Sequence, residues 1–393
     1  MPARADVMVA EVAAATSNTA STNYLVETTA GVLYCVYVDS GADVAFKKST
    51  DGGLTWSAAT VVFAGTVTQL SIWFDRWSGI AAGLIHCAYT ESATDDTLYR
   101  TIDTASSDAL STQTTIFAGA STAAGCHLSI TRARGGNVYC KTVIDAGAEG
   151  GFYRLPNANV PNGAWDAART VDETIATGDQ MILVPGFAAD DQDIMAIFWD
   201  ASANEISRKV YDDSANTWAE TSIATSMTEQ DPANNWPDFA VAVDLTNSRI
   251  VLVAWSGTGT ANADLRCWKI TESAITETSA NVVLNSTGGQ GMCAISIDSV
   301  TGYWLVFYGG KSGGSETFNT SINVYCKGST DGGATWSPET LVTNAVRNTR
   351  WLITVPWRYI QRPLAAVQIA SSPPEIKISV CLTQPQFRHA IGM

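Results

Sequence analysis

The feature that most constrains the fold is a phrase that occurs twice. Residues Ser49–Trp56 read STDGGLTW, and residues Ser329–Trp336 read STDGGATW, so the two copies differ at a single position. They lie 280 residues apart. Self-similarity of this kind indicates an internal repeat, and repeats of a few tens of residues are typical of solenoids and propellers.

The tryptophans of the chain define the length of the repeat. A weaker copy, YDDSANTW at Tyr211–Trp218, keeps the aspartate and the tryptophan, and Trp165 marks another unit. The intervals from Trp56 through these positions to Trp336 give a unit of 53 to 59 residues. Each unit holds four short apolar, β-branched or aromatic runs separated by turn residues, which is typical of four antiparallel strands.

The predicted strands follow this unit. In the first unit they are Tyr24–Glu27, Val32–Val38, Val44–Lys48 and Thr60–Phe63. In the second unit they are Leu70–Asp75, Leu84–Thr90, Thr97–Ile102 and Thr114–Phe117. The first strands of successive units lie near Tyr24, Leu70, Leu128, Ile182, Phe239, Ala294 and Leu352.

The last unit runs out of chain before its fourth strand, and the segment Val7–Val12 has the composition to supply it. Pairing of the two ends would remove the open edges of the sheets. The sequence therefore predicts an all-β fold, a seven-bladed β-propeller of four-stranded antiparallel blades whose N-terminal strand closes the last blade. Six blades plus a C-terminal extension is the alternative. One domain covers 1–393, with 1–20 as closing strand and linker and 383–393 as a C-terminal tail.

The repeated phrase resembles the Asp-box, or BNR repeat, of the sialidase-like β-propeller superfamily, in which it turns the third strand of a blade into the fourth. Turn chemistry accounts for its residues, because aspartate accepts backbone N–H bonds, glycine adopts a backbone conformation that a Cβ hinders, and tryptophan buries a large ring. The residues predicted to have this structural role are Ser49, Asp51, Gly53, Thr55, Trp56, Asp213, Trp218, Ser329, Asp331, Gly333, Thr335 and Trp336.

The resemblance does not extend to the sialidase active site. Those enzymes carry an Arg-Ile-Pro element on the first strand, whereas this chain reads NYLVE at Asn23–Glu27 and has no Arg-Ile-Pro anywhere. No catalytic residue is therefore assigned, and sialidase activity is not expected. Other Asp-box propellers hydrolyse polysaccharides with two carboxylates roughly 5 to 9.5 Å apart. The candidates for such a pair are Asp75, Glu229, Asp231 and Asp238.

Tryptophans near the first strands supply binding candidates, because aromatic rings stack on sugars. The candidates are Trp236, which lies in a polar segment, together with Trp73 and Trp77. Packing between blades is the other interpretation of such rings. His86 lies in a core-patterned strand, and the DDQD run at 190–193 lacks the spacing of a calcium loop, so neither a metal site nor a cofactor is predicted.

The composition limits the kinds of partner that the protein is expected to bind. A net charge of −15 with scattered basic residues disfavours nucleic acid, and no apolar run is long enough for membrane insertion. Cys35, Cys87 and Cys140 recur at equivalent repeat positions, which predicts unpaired thiols, and the N-terminus lacks the pattern of a secretion signal.

These observations favour a non-catalytic structural or recognition propeller. The specific prediction is a phage virion component, in the tail or associated with the capsid, that folds in the host cytoplasm. It would contact other virion or scaffold proteins, host glycans, or copies of itself in a homo-oligomer. The alternatives are a glycoside hydrolase that acts on polysaccharide through paired carboxylates, and a cytoplasmic assembly or scaffold factor.

Overall fold

The computed structural model describes residues 7–11, 25–75, 83–119, 128–142, 151–170, 179–200, 202–227, 239–244, 247–256, 264–284, 293–298, 301–309, 322–347, 349–354, 357–358, 364–369 and 375–380. Within these ranges the chain is almost entirely β-structure, with one short 3-10 helix at Asn157–Asn159. The predicted C-terminal tail at 383–393 lies outside the described residues. In the described part, no helix is long and apolar enough to cross a membrane.

Consecutive chain segments form antiparallel blades. Blade 1 contains β2 (Leu25–Glu27), β3 (Leu33–Val38), β4 (Val44–Ser49) and β5 (Thr60–Phe63). Blade 2 contains β6 (Val67–Phe74), β7 (Leu84–Glu91), β8 (Asp96–Asp103), the short β9 (Ala109–Leu110) and β10 (Thr114–Ala118). Blade 3 contains β11 (Ser129–Arg132), β12 (Val138–Thr142) and β13 (Gly151–Leu155).

The pattern continues through three more blades. Blade 4 contains β14 (Gln180–Pro185), β15 (Ile194–Asp200), β16 (Glu205–Asp212) and β17 (Thr217–Ala224). Blade 5 contains β18 (Phe239–Asp244), β19 (Arg249–Ser256), β20 (Asp264–Ile270) and β21 (Ile275–Leu284). Blade 6 contains β22 (Cys293–Asp298), β23 (Trp304–Gly309), β24 (Ile322–Ser329) and β25 (Thr340–Arg347), and β27 (Trp357–Arg358) lies beside β22 in parallel.

A further sheet, the terminal sheet, joins the two ends of the chain. Its strands are β26 (Thr349–Thr354), β28 (Leu364–Ile369), β29 (Glu375–Val380) and the N-terminal β1 (Val7–Glu11). The predicted pairing of the N-terminal strand is present, with Val7 opposite Ile378 in an antiparallel ladder.

The all-β propeller with four-stranded antiparallel blades is thus confirmed. Blades built from consecutive segments number six among the described residues, as in the alternative prediction. The main prediction is seven blades. It requires the terminal sheet to occupy the place of a seventh blade.

Most blades are buried on both faces because neighbouring blades pack against each other. All six residues of β3 and all eight of β7 are buried, so these strands do not alternate between core and solvent. Each large apolar cluster takes side chains from adjacent blades, as where Trp73 and Tyr99 of blade 2 join Ile130 of blade 3. Fourth strands such as β17 are mostly exposed. The core therefore lies between the blades.

Serine side chains on the first strands link neighbouring blades. Ser71 Oγ on β6 accepts the backbone N–H of Ile130 on β11 at 3.2 Å. Ser129 Oγ, on β11, accepts the backbone N–H of Leu183 on β14 at 2.9 Å. Each serine therefore satisfies a backbone donor of the next blade's first strand, which fixes the first strands of blades 2, 3 and 4 to one another beside the central channel of the propeller.

The described cysteines are buried in the core and form no disulfide with one another, at Cys35, Cys87, Cys140, Cys267, Cys293 and Cys326. Burial raises the pKa of the Cys35 thiol to about 12. These side chains therefore act as small apolar groups at neutral pH.

Candidate functional site

One face of the propeller is stiffened by hydrogen bonds between its turns and the segments that connect the blades. The turn between β3 and β4 holds the first connector, because Asp43 Oδ1 accepts the N–H of Gly65 at 2.9 Å. The turn between β7 and β8 is bonded to the same connector, since the N–H of Ser92 donates to the carbonyl of Thr66 at 2.9 Å. We call this end of the strands the connector face. A rigid scaffold that presents loops in this way is the usual setting for a binding site.

The repeated phrase lies at the opposite end of the strands, where it turns β4 into β5 and β24 into β25. Asp51 Oδ1 accepts the N–H groups of Leu54 and Thr55, each at 2.9 Å, and its Oδ2 accepts the Thr55 hydroxyl at 2.6 Å. Asp331 makes the same bonds to Thr335, at 2.9 and 2.6 Å. The Thr335 hydroxyl, followed by its backbone N–H, lowers the pKa of Asp331 to about 2. Both carboxylates are therefore ionised and committed to the turn.

The other residues of the phrase complete the turn. Ser49 Oγ accepts the N–H of Gly53 at 2.8 Å, and Ser329 does the same for Gly333. Gly333 has φ of +90°, and a Cβ there would lie 2.6 Å from the Thr278 hydroxyl of the neighbouring blade. The rings of Trp56 and Trp336 pack against the core clusters of their own blades. These contacts are all structural.

The weaker copy uses its aspartates differently. Asp212, one position earlier, caps the turn by accepting the N–H of Ala215 at 2.8 Å. Asp213, which aligns with Asp51, instead binds two arginines of blade 3, Arg154 at 2.8 Å and Arg169 at 2.9 Å. Ser-Ala replaces the Gly-Gly of the complete copies here, so the tight turn is not formed in the same way.

The DDQD run at 190–193 is part of the same junction between blades 3 and 4. The Gln192 amide accepts the N–H of Asn137 at 2.9 Å and donates to the carbonyl of Gly135 at 2.7 Å. Asp193 accepts the N–H of Asp213 at 2.8 Å, and burial raises the pKa of Asp193, with further contributions from neighbouring aspartates. The run therefore fastens two blades together. Among the described residues, no group of three or more acidic, histidine or cysteine side chains is arranged to hold a metal.

Asp75 belongs to a buried polar cluster between blades 2 and 3. It forms an ion pair with Arg132, and the two side chains are 3% and 1% exposed. Arg132 also donates to the carbonyl of Gly136 and to the Asn157 side chain, both at 2.9 Å. With its carboxylate enclosed in this way, Asp75 cannot reach a substrate in this conformation. The other carboxylate candidates, Glu229, Asp231 and Asp238, lie outside the described residues.

Two aromatic groups complete the same cluster. His86 Nδ1 and the Tyr99 hydroxyl are 2.7 Å apart, and both side chains are fully buried. Burial, followed by the nearby charge of Arg132, holds the pKa of His86 well below its ordinary value. Burial raises the pKa of Tyr99. Both groups are therefore neutral at neutral pH, and we name Asp75, His86, Tyr99 and Arg132 the blade 2–3 cluster.

Of the three tryptophan candidates, the structure describes one. Trp73 lies on β6 with 8% of its surface exposed and packs in the cluster of apolar residues between blades. It therefore occupies the position of a packing residue, the second of the two roles that the sequence leaves open. Trp77 and Trp236 lie outside the described residues.

Carboxylates at the ends of other first strands also serve turns. Asp244, at the end of β18, accepts from the N–H of Asn247 at 3.1 Å and from Arg249 at 2.9 Å. Asp298, at the end of β22, accepts the N–H of Thr301 at 3.3 Å. These residues stabilise hairpins at the end of the strands away from the connector face.

Comparisons with known proteins place the fold. No protein-family model matches the chain, and no curated protein is similar to it in sequence. Among solved structures, an ulvan lyase of polysaccharide lyase family PL25, bound to -[GlcA(1-4)Rha3S]-, has a TM-score of 0.60 at 10% identity. The match covers 99% of this chain and 100% of that chain.

Two further neighbours are more distant. The sialidase of Trypanosoma rangeli in complex with the inhibitor DANA has a TM-score of 0.49 at 9% identity, over 99% of this chain and 62% of that chain. AofleA from Arthrobotrys oligospora has a TM-score of 0.46 at 10% identity, over 85% and 94%. At 10% identity the likeness to the ulvan lyase concerns the fold alone, which is a β-propeller of the kind found in that polysaccharide lyase.

Proposed function

We propose that this protein binds a polysaccharide at the connector face and that its activity is to cleave that polysaccharide. The observation that carries the proposal is the extent of the likeness to the ulvan lyase, which leaves almost no part of either chain unmatched. A propeller of this size is therefore a sufficient scaffold for action on a polysaccharide.

The rigidity of the connector face supports the proposal. Cleavage requires reacting groups to be held in place against the substrate, and turns bonded to blade connectors provide such a frame. The connector between β17 and β18 contains the segment 228–238, outside the described residues. That segment carries Trp236 and three candidate carboxylates, Glu229, Asp231 and Asp238.

Two reactions on a polysaccharide are chemically distinguishable. Hydrolysis by paired carboxylates adds water across the glycosidic bond and yields a new reducing end. Elimination removes a proton next to a uronate carboxylate and expels the glycosidic oxygen, so it yields a reducing end and a carbon–carbon double bond. Only the second product has a double bond conjugated with a carboxylate, which absorbs strongly in the ultraviolet.

A panel of neutral, uronate-containing and sulfated polysaccharides tests the proposal. We expect new reducing ends with at least one polymer, and the absorbance of the product identifies hydrolysis or elimination. In the case of hydrolysis, Glu229→Gln, Asp231→Asn and Asp238→Asn should include variants with reduced kcat. Glu272→Gln is the matched control because the Glu272 side chain is exposed at a turn on the opposite end of the strands.

The proposal fails if no polymer is cleaved. Calorimetric binding without release of sugar would support a non-catalytic recognition propeller instead. The virion location, the protein partners and the scaffold role stay predictions of the sequence.

We also propose that the terminal sheet is the seventh blade of a closed ring. Ser296 on β22 aligns with Ser129 in the repeat, and its buried hydroxyl has no partner among the residues whose contacts the structure describes. If a blade follows blade 6, its first strand would supply a backbone N–H to the Ser296 hydroxyl. Ile130 supplies such an N–H to Ser71, and Leu183 supplies one to Ser129. An experimental density map viewed down the channel should contain seven lobes, and six lobes with a peripheral sheet would contradict this.

A further inference from the structure

His86 lies where blades 2 and 3 meet, on a strand whose neighbours fix its direction. It is paired with Trp73 on β6 and with Thr101 on β8, so all three side chains lie on one face of blade 2. Trp73 and Tyr99 on that face pack against Ile130 of β11 in blade 3. The imidazole is therefore enclosed by the joint between two blades, on strands that are close to the channel.

The polar groups around the imidazole leave no place for a second proton. Nδ1 is already bonded to the Tyr99 hydroxyl, and Nε2 is buried without a partner among the described residues. Arg132 of β11 contributes a positive charge, and Asp75, directly after β6, is already paired with that guanidinium. An imidazolium here would be a buried charge next to a like charge, without an acceptor for its Nε2–H.

The sequence positions of the polar contacts across this joint decide where it could open. Ser71 accepts the N–H of Ile130 at 3.2 Å, and the hydroxyls of Thr97 and Thr142 are 2.9 Å apart. The edge of Trp165 meets the ring of Tyr99 at 5.3 Å between centroids. Two further bonds connect outer parts of the two blades, from the N–H of Thr112 to the Asn162 side chain at 2.8 Å and from Trp165 Nε1 to the Thr114 hydroxyl at 3.3 Å. A separation confined to the first strands can leave these outer bonds in place.

We propose that His86 is a proton-operated latch between blades 2 and 3, closed when the imidazole is neutral and opened when it takes up a proton. Water that enters the opened joint solvates the imidazolium, and β6 moves away from β11. Because these are first strands, the separation widens the channel next to them. The latch is independent of the polysaccharide activity proposed above and makes the shape of the propeller depend on acidity.

The direction of the pH dependence follows from linkage. The closed state favours neutral His86 more strongly than the open state does, so closure is fully stable above the ordinary histidine pKa of about 6.5. As the pH falls below that value, the open state binds one more proton. The ratio of open to closed molecules then rises by up to about tenfold for each pH unit.

Hydrogen exchange at two pH values tests the latch on the full chain. After correction for the intrinsic exchange rate, peptides from β7, β8 and β11 should exchange faster at about pH 5 than at about pH 7.5, while β18, β19 and β20 of blade 5 should not. His86→Gln, which keeps a hydrogen-bonding group and removes the titration, should abolish the difference. His127→Gln and His389→Gln are the controls, since the chain has three histidines, and they should retain it.

Two outcomes would overturn the proposal. One is an equal acceleration in all blades of the native protein, and the other is the same local acceleration in the His86→Gln variant. If that variant does not fold, the imidazole resonances of the native protein decide the matter. A signal of His86 that titrates near the ordinary pKa within the closed state would show that the proton enters without opening, and the latch would be wrong.

Discussion

Replacement of Arg132 by methionine should be one of the most damaging single changes in the described part of the chain. Its guanidinium is almost completely buried and holds the Asp75 carboxylate, the Gly136 carbonyl and the Asn157 side chain. Arg132→Met leaves the Asp75 charge in the joint without its partner. Loss of one member of a buried ion pair costs about 3–5 kcal/mol. That is a large fraction of the roughly 5–15 kcal/mol by which domains are stable.

The double variant makes the experiment decisive. Asp75→Leu with Arg132→Met removes both charges together, and such replacements are often neutral to within a few kcal/mol. We expect the double variant to be more stable than Arg132→Met alone, with a strongly non-additive double-mutant cycle. Urea denaturation followed by tryptophan fluorescence measures the midpoints, since the chain has 13 tryptophans. A single variant within about 1 kcal/mol of the native protein, or an additive cycle, would refute the argument.

Four further predictions concern the rest of the fold. Asp51→Ala should lower stability by about 1 kcal/mol, as the loss of a cap does, without changing kcat on a polysaccharide, and Glu272→Ala should change neither. The stability that Asp331 contributes should disappear between about pH 4 and pH 2, because its lowered pKa means that the carboxylate favours the folded state only while ionised. Deletion of residues 1–11 should lower Tm by exposing the edge of β29, and an unchanged Tm would show that the pairing of β1 is dispensable. The six described cysteines should resist iodoacetamide at about pH 8 until the protein unfolds, and mass spectrometry of the native protein would reveal any reactive thiol.

The strands were largely predictable because burial and turn chemistry repeat with the blade. The prediction Val44–Lys48 differs from β4 by one residue, and Thr60–Phe63 coincides with β5. The first strand of blade 2 begins at Val67 rather than at the predicted Leu70. Thr68 and Gln69 follow directly after Val67. Their polar side chains interrupt the apolar pattern that predicts a strand, although Gln69 is buried in the structure.

The polar contacts between blades were not predicted, since their partners are distant in sequence. Asp75 and Arg132 are 57 residues apart, and Arg154 and Asp213 are 59 apart. Ser129 and the N–H that it accepts, on Leu183, are 54 apart. Each of these separations is close to one repeat, because equivalent points on adjacent blades face each other. A search for complementary side chains one repeat apart would have found these pairs.

The degenerate copy shows the limit of motif alignment. Asp213 occupies the position of Asp51, yet its carboxylate binds Arg154 and Arg169 of another blade. The alignment matches backbone positions, whereas the role of the side chain depends on the neighbouring blade. The sequence therefore located the turn, but the alignment did not show that Asp212 rather than Asp213 caps it.

The pairing of β1 with β29 has a consequence for the synthesis of the protein. Val7 is made 371 residues before its partner Ile378. Each of the six blades can form from a local stretch of nascent chain, and contacts between near residues form quickly. β1 must remain without this partner until β29 has been made, since loop closure over such a length is a late event. A nascent chain that stalls before β29 would therefore keep β1 as an unpaired β-strand, the kind of segment that chaperones bind.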